Sequence, residues 1–247
     1  MVRITKVLFT QGNKKYGFYA FLVFLLPLLN SSCSENNDNP QARTSKIEST
    51  YFYPIADSAR IYCYRNITDG LEEEFHRIYT IKDSIKHLIV ERFSSNKRFL
   101  EAINYNVESK KVVEHIVVNR NNEREIAEIK STQLFPYDPS RENSFVSEFS
   151  GLDDSTLFRK ENHRNFLKAE TSSYDGFGKR KTFIFKDFVS QHLINLYTNR
   201  GRKIDVKGFI HFAEGIGPVE WYDENKKVHF KLEKILSQKE WVRMMQF

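Results

Sequence analysis

From Tyr51 onward, apolar and polar residues alternate with a period of two in one segment after another. In Ile204 to Phe212, the residues Ile204, Val206, Ile210 and Phe212 fall on one face, while Asp205, Lys207 and His211 fall on the other. In Val228 to Lys234, the apolar Val228, Phe230 and Leu232 alternate with His229, Lys231 and Glu233. Such alternation marks a strand with one buried and one wet face, as antiparallel sheets have. Arg60 to Arg65, Glu74 to Ile81, His87 to Phe93, Val112 to Val118, Lys181 to Val189 and His192 to Thr198 read the same way. Their Ile, Val, Phe and Tyr side chains suit a pleated surface.

The breaks between these runs carry turn residues: Thr68-Asp69-Gly70, Ser94-Ser95-Asn96, Asn119 to Asn122, Asp175-Gly176, Asn199-Arg200-Gly201 and Asp223-Glu224-Asn225. Strands spaced by such signals predict a mainly β fold, a single curved antiparallel sheet forming a half-barrel or barrel. A two-sheet β-sandwich is the alternative, because strand count alone does not separate the two. Helix is compatible with Arg124 to Leu134 and with Asp154 to Lys168, where the period is ambiguous.

Composition narrows the class. Of 247 residues, 40% are hydrophobic and 14% aromatic, enough apolar surface for a core and too much for a disordered chain. Two cysteines cannot form a disulfide framework or fill a four-ligand zinc site. The formal charge of +6 is local: residues 1–32 hold Arg3, Lys6, Lys14 and Lys15 and no acid, leaving 34 basic against 32 acidic residues beyond them. That balance gives no phosphate-tracking footprint, so no nucleic-acid partner is expected.

The basic stretch is followed by Tyr16 to Leu29, fourteen uncharged residues interrupted by Pro27, and then by Asn30, Ser31, Ser32 and Cys33. A basic start, a short apolar run and small residues at its end are the three parts of a secretory signal peptide, here residues 1–32. A spanning helix needs about 20 apolar residues, and this run is shorter. Leu28-Leu29-Asn30-Ser31-Ser32-Cys33 resembles the lipobox of bacterial lipoproteins, which implies that Cys33 is the lipid attachment point and the new N-terminus. Leu29 stands four residues before Cys33, with Asn30 in the usual leucine place, so ordinary signal-peptidase cleavage and an uncleaved anchor stay open. Residues 33–50 then read as a polar tether, and its acidic start, Ser34 to Pro40, is similar to the export signals of Bacteroidetes-type lipoproteins. The resemblance implies an outer-membrane lipoprotein of the cell envelope, surface-exposed or facing the periplasm.

Residues 51–247 are read as one β-rich domain. Tyr51-Phe52-Tyr53-Pro54-Ile55 leading to Ile61-Tyr62-Cys63-Tyr64, and Phe212-Ala213-Glu214-Gly215-Ile216-Gly217-Pro218-Val219, resemble segments of uncharacterised β-rich lipoproteins. That resemblance implies a membrane-tethered β module and transfers no catalytic residue.

Candidate chemistry is sparse. Gly215-Ile216-Gly217 lacks the third glycine and the helix start of a dinucleotide cradle, and reads as a strand turn, as does Gly176-Phe177-Gly178. The basic triplet Lys179-Arg180-Lys181 reads as a wet hairpin edge. His76, His87, His115, His163, His192, His211 and His229 are each more than ten residues apart, with no His-Glu-x-x-His motif, so no metal site is expected. Cys63 shares a face with Ala59 and Ile61 and reads as core rather than nucleophile. Glu72-Glu73-Glu74 and Asp153-Asp154 read as solvated charge rather than a glycosidase pair. Trp221, Tyr222 and Trp241 suit either a ligand groove or core packing. No catalytic residue, cofactor or metal is therefore assigned.

Three functional readings follow. The first is a non-catalytic binding or envelope-structural lipoprotein, held to the membrane by acyl chains and contacting an envelope protein, glycan or lipid. The second is a carrier of a lipid or other apolar ligand inside a half-open barrel lined by some of the 21 Phe and 12 Tyr. The third is a glycan-acting enzyme with its site spread over strand ends.

Overall fold

The alternating segments become thirteen strands in a computed structural model that describes residues 49–246. They are β1 (Arg60–Asn66), β2 (Glu73–Lys82), β3 (Lys86–Ser94), β4 (Phe99–Asn106), β5 (Val112–Val118), β6 (Arg124–Ile126), β7 (Glu128–Thr132), β8 (Asn143–Ser150), β9 (Thr156–Tyr174), β10 (Gly178–Asn195), β11 (Gly201–Ala213), β12 (Gly217–Asp223) and β13 (His229–Ser237). One helix, α1 (Gln238–Met245), ends the described residues. The signal peptide, Cys33 and all of the tether except Ser49 and Thr50 lie outside them.

All thirteen strands belong to one antiparallel sheet, which excludes the sandwich and bears out the single curved sheet. Consecutive strands pair throughout except β6 with β7, and the first and last strands, β1 and β13, pair with each other. The two edges of the sheet, β6 and β7, are themselves consecutive and joined through Ala127 alone. The Ala127 amide donates to the His115 carbonyl of β5 at 2.8 Å, so the chain steps directly from one edge to the other. The sheet is thereby nearly closed into a barrel, leaving little edge for another chain to pair with.

Side chains on the inner face form the main core, including Tyr62, Tyr64, Leu88, Val90, Ile103, Tyr105, Phe145, Phe185 and Phe212. The chain enters this core through Tyr51, Phe52 and Tyr53, all buried. Phe52 meets Tyr105 and Phe135 edge-on, at centroid distances of 5.2 and 4.9 Å. Such contacts add about 0.5–1.5 kcal/mol per aromatic pair beyond simple burial. The turn at Gly215 and Gly217 has φ of 76° and 99°, and a side chain on Gly217 would crowd Tyr53 at 3.3 Å. Glycine is therefore required there by backbone conformation and by the aromatic lead-in.

A smaller cluster on the outer face holds Ile61, Cys63, Phe75, Phe93 and Trp241. Here α1 covers the sheet, which is why β1 is buried on both faces. The helix starts with a capping box: the Glu240 amide donates to Ser237 Oγ, and the Ser237 amide donates to Glu240 Oε2 at 2.7 Å.

Several expectations need correction. Arg124 to Leu134 is not helix but contains the short edge strands β6 and β7. Asp154 to Lys168 is mostly the first part of β9, paired on both sides. Its inward positions Lys160, Asn162 and Arg164 are polar, which hides the period of two. Ile204 and Val206 are 52% and 46% exposed, not buried with Ile210 and Phe212. The reason is register: β12 ends at Asp223 opposite Gly208, so the start of β11 pairs with β10 alone. Val228 is likewise 42% exposed, one residue before β13 begins. Among the described residues no helix is long and apolar enough to cross a membrane.

Candidate functional site

The barrel holds a partly open cavity of about 310 Å³. Six charged side chains line it: Glu74 from β2, Arg92 from β3, Glu101 from β4, Lys160 and Arg164 from β9, and Asp187 from β10. Each shares its face of the strand with core residues. Arg92 follows Leu88 and Val90 at alternate positions, and Glu101 precedes Ile103 and Tyr105. The rest of the wall is mostly apolar, with Phe52, Val90, Ile103, Phe145, Val189, Ile210, Phe212 and Trp221 among its residues.

Buried charges are costly unless paired, and these are paired. Arg92 Nε donates to Glu74 Oε1 at 2.7 Å, and its Nη1 donates to Glu101 Oε1. Lys160 Nζ donates to the other Glu101 oxygen at 2.6 Å. His115, fully buried, links Glu101 Oε2 at 3.0 Å to Ser147 Oγ at 2.9 Å. His76 Nε2 donates to the same Glu74 oxygen, Oε1, at 2.6 Å. A second group sits across β9 and β10: Arg164 Nε donates to Asp187 Oδ1 at 2.9 Å, its Nη1 to the Leu134 carbonyl at 2.7 Å, and Asn162 Nδ2 to Asp187 Oδ1 at 3.0 Å.

The electrostatics follow from these partners. Burial pushes the Glu74 carboxyl up, but Arg92 and His76 outweigh it and hold it at about 2. Burial opposes ionisation of Glu101 too, and Lys160, Arg92 and His115 carry it well below the usual carboxylate range. His76 is pushed below its ordinary value by burial, with its bond to Glu74 working against that shift. Burial holds the phenols of Tyr53 and Tyr105 above their ordinary value. Carboxylates kept ionised to such low pH are poor proton donors near neutrality. What the arrangement offers is a fixed set of charges and dipoles around an open space, a binding geometry.

The structure separates the residues singled out in the sequence. Glu74 alone of its acid run reaches the cavity, while Glu73 pairs with the half-exposed Arg65 at 3.3 Å. Asp153 and Asp154 lie in the turn before β9, where Asp153 accepts from Ser155 and Asp154 meets Arg120 at 2.6 Å. Trp221 joins the cavity wall, Tyr222 packs against His229, and Trp241 covers Cys63 from α1. Cys63 is core as expected, and burial pushes its thiol up to about 12. Gly176-Phe177-Gly178 and Gly215-Ile216-Gly217 both turn hairpins. On the outer face, Glu220 lies 2.5 Å from His229 and 3.6 Å from His211. Among the described residues, no group of three His, Cys, Asp or Glu is placed to hold a metal ion. Arg92, Glu101, Lys160, Arg164 and Asp187 were not legible as site residues; the available signal was a charge in phase with buried apolar neighbours.

No family model matches the chain, and no curated protein matches it. Two solved structures are similar to it. One is a candidate lipoprotein of Parabacteroides distasonis, 14% identical, with a TM-score of 0.41, covering 77% of this chain and 100% of its own. The other is a candidate exported protein with a YmcC-like fold from Bacteroides fragilis, 14% identical, with a TM-score of 0.38, covering 76% of this chain and 100% of its own.

Proposed function

We propose that this chain is an outer-membrane lipoprotein, anchored through Cys33, whose barrel binds a small ligand in its interior. The anchor rests on the basic, apolar and small-residue order of residues 1–33 and on the lipobox-like cysteine that ends it. The binding function rests on the cavity of about 310 Å³, which lies near the small end of ligand pockets, roughly 300–1,000 Å³. A barrel kept only as scaffold gains stability by filling such a space, since packed interiors hold few voids larger than a water molecule. The carrier reading is therefore placed ahead of the purely structural one. The cavity is not the wholly apolar one expected of a simple lipid carrier, because six charges share its wall with the aromatic residues.

Two experiments test the reading separately. Cys33→Ala removes acyl labelling and releases the chain from the membrane fraction; unchanged attachment rules the lipid anchor out. Native mass spectrometry of the full chain taken from its own envelope shows one small molecule per chain, lost in the cavity-filling Val189→Trp. A chain with no such adduct, and with the same mass profile in both forms, rules the carrier out.

A further inference from the structure

We infer that the ligand is a single-chain amphiphile with a carboxylate head, an inference that rests on the cavity-binding reading above and gives that ligand its chemistry. The cavity wall leaves hydrogen-bonding capacity open. Arg92 uses Nε and Nη1 on the two glutamates, so the two N–H groups of Nη2 have no partner among the described residues. Its side chain keeps 31% of its surface open, although Glu74 and Glu101 beside it are almost covered. Lys160 spends one of its three N–H groups on Glu101. Tyr53 and Tyr105 line the same space, and their hydroxyls make no hydrogen bond among the described residues. The open N–H groups of Arg92 and Lys160 can only donate, and the two phenols can donate or accept.

Acceptors are closed by comparison. Glu74 Oε1 and the oxygens of Glu101 and Asp187 are met by cations, leaving Glu74 Oε2 as the one carboxylate oxygen of the three residues with no partner among the described residues. His76 Nδ1 and Asn162 Oδ1 have no partner, but both atoms are sealed inside the wall and meet no open space. A guest that brings acceptors is thus favoured over one that brings donors.

Charge narrows the head further. Glu74, Glu101 and Asp187 balance Arg92, Lys160 and Arg164, so the wall is neutral when all six are ionised. A monoanion gains charge-assisted bonds from Arg92 Nη2 and Lys160 Nζ, whereas a phosphate monoester carrying about −1.5 to −2 charge would press a second charge against the glutamates. Among these charges, Val90, Ile103, Phe145, Ile210 and Phe212 provide apolar surface for an alkyl body.

The test is equilibrium dialysis of the full chain in lipid nanodiscs against radiolabelled octanoate, octyl phosphate, octanol and octylammonium, with empty nanodiscs as the blank. Octanoate binds one per chain and at least about tenfold more tightly than the other three. The double variant Tyr53→Phe, Tyr105→Phe, which removes two hydroxyls and leaves every ion pair in place, weakens octanoate severalfold and leaves octanol unchanged. Tighter binding of octanol, octylammonium or octyl phosphate overturns the carboxylate head and leaves the cavity reading standing. Octanoate binding that is unchanged in the double variant places the head elsewhere and overturns the assignment. Binding of none of the four above the blank overturns the head assignment, and if Val189→Trp also leaves the native mass profile unchanged, the cavity reading fails with it.

Discussion

Lys160 on β9 donates to Glu101 on β4 at 2.6 Å across fifty-nine residues of sequence. β4 and β9 stand on opposite sides of the seam between β6 and β7, so this bond ties together the two halves of the sheet that backbone pairing leaves open. Lys160→Met removes it and leaves Glu101 with Arg92 and His115. The expected cost is about 1–3 kcal/mol, the range for depriving a buried polar group of a partner, read as a lower urea midpoint. Lys160→Met combined with Glu101→Gln recovers part of the loss, and a double variant as weak as the sum of the singles argues that the pair is not coupled.

Acid stability follows from the buried titratable groups of this network and of the outer face. The pKa values of His76 and His211 are lowered below 6.5 by burial, so the unfolded chain binds protons that the folded chain refuses. Stability therefore begins to fall as pH drops below about 6.5. Glu74 and Glu101 act in a second window: both are depressed in the folded state, so their contribution is present above the ordinary value of 4.5 and is lost below it, for Glu74 down to about 2. Thermal midpoints measured from pH 8 to 3 show a shallow decline and then a steeper one, and a flat profile contradicts the assignment.

Cys63 lies under α1 against Trp241, with its thiol raised to about 12, so a thiol reagent reacts with it slowly in the folded chain. Trp241→Ala uncovers it and raises the labelling rate severalfold. Ser237→Ala, which removes the helix cap, costs about 1 kcal/mol and raises the rate less. A labelling rate indifferent to both changes means that the helix does not cover this face.

Phe52 joins the N-terminal lead-in to the interior, 2% exposed between Tyr105 and Phe135. Phe52→Ala is expected to cost about 3–5 kcal/mol, the range for emptying an aromatic core position. A loss below 1 kcal/mol, read from the urea midpoint, would show that the lead-in is not part of the core.

The β class and the strand-turn-strand order were legible because Phe230 and Leu232, or Phe212 and Ile210, alternate with polar neighbours. The closure was not legible: nothing local to Ile61 or Leu236 states that they pair, since strand register between distant segments is settled by the whole sheet. The interior charges were hidden for a related reason. Lys160, Asn162 and Arg164 occupy inward positions, so β9 lost the hydrophobic period that identified its neighbours. The terminal helix carries a local sequence signal, Ser237 three residues before Glu240, with Trp241 following. At the site, only the residue types were visible; that Glu74, Arg92, Glu101 and Lys160 meet is a property of the closed barrel.

Whether the barrel interior is a ligand site is read from a crystal structure of the full chain purified from its own envelope, at a resolution that separates ordered water from a continuous molecule. A bound ligand gives one elongated feature in the cavity, its polar end on Arg92 and Lys160 and its body along Ile103, Ile210 and Phe212. Isolated waters bridging the charged side chains, with nothing along the apolar wall, would contradict it.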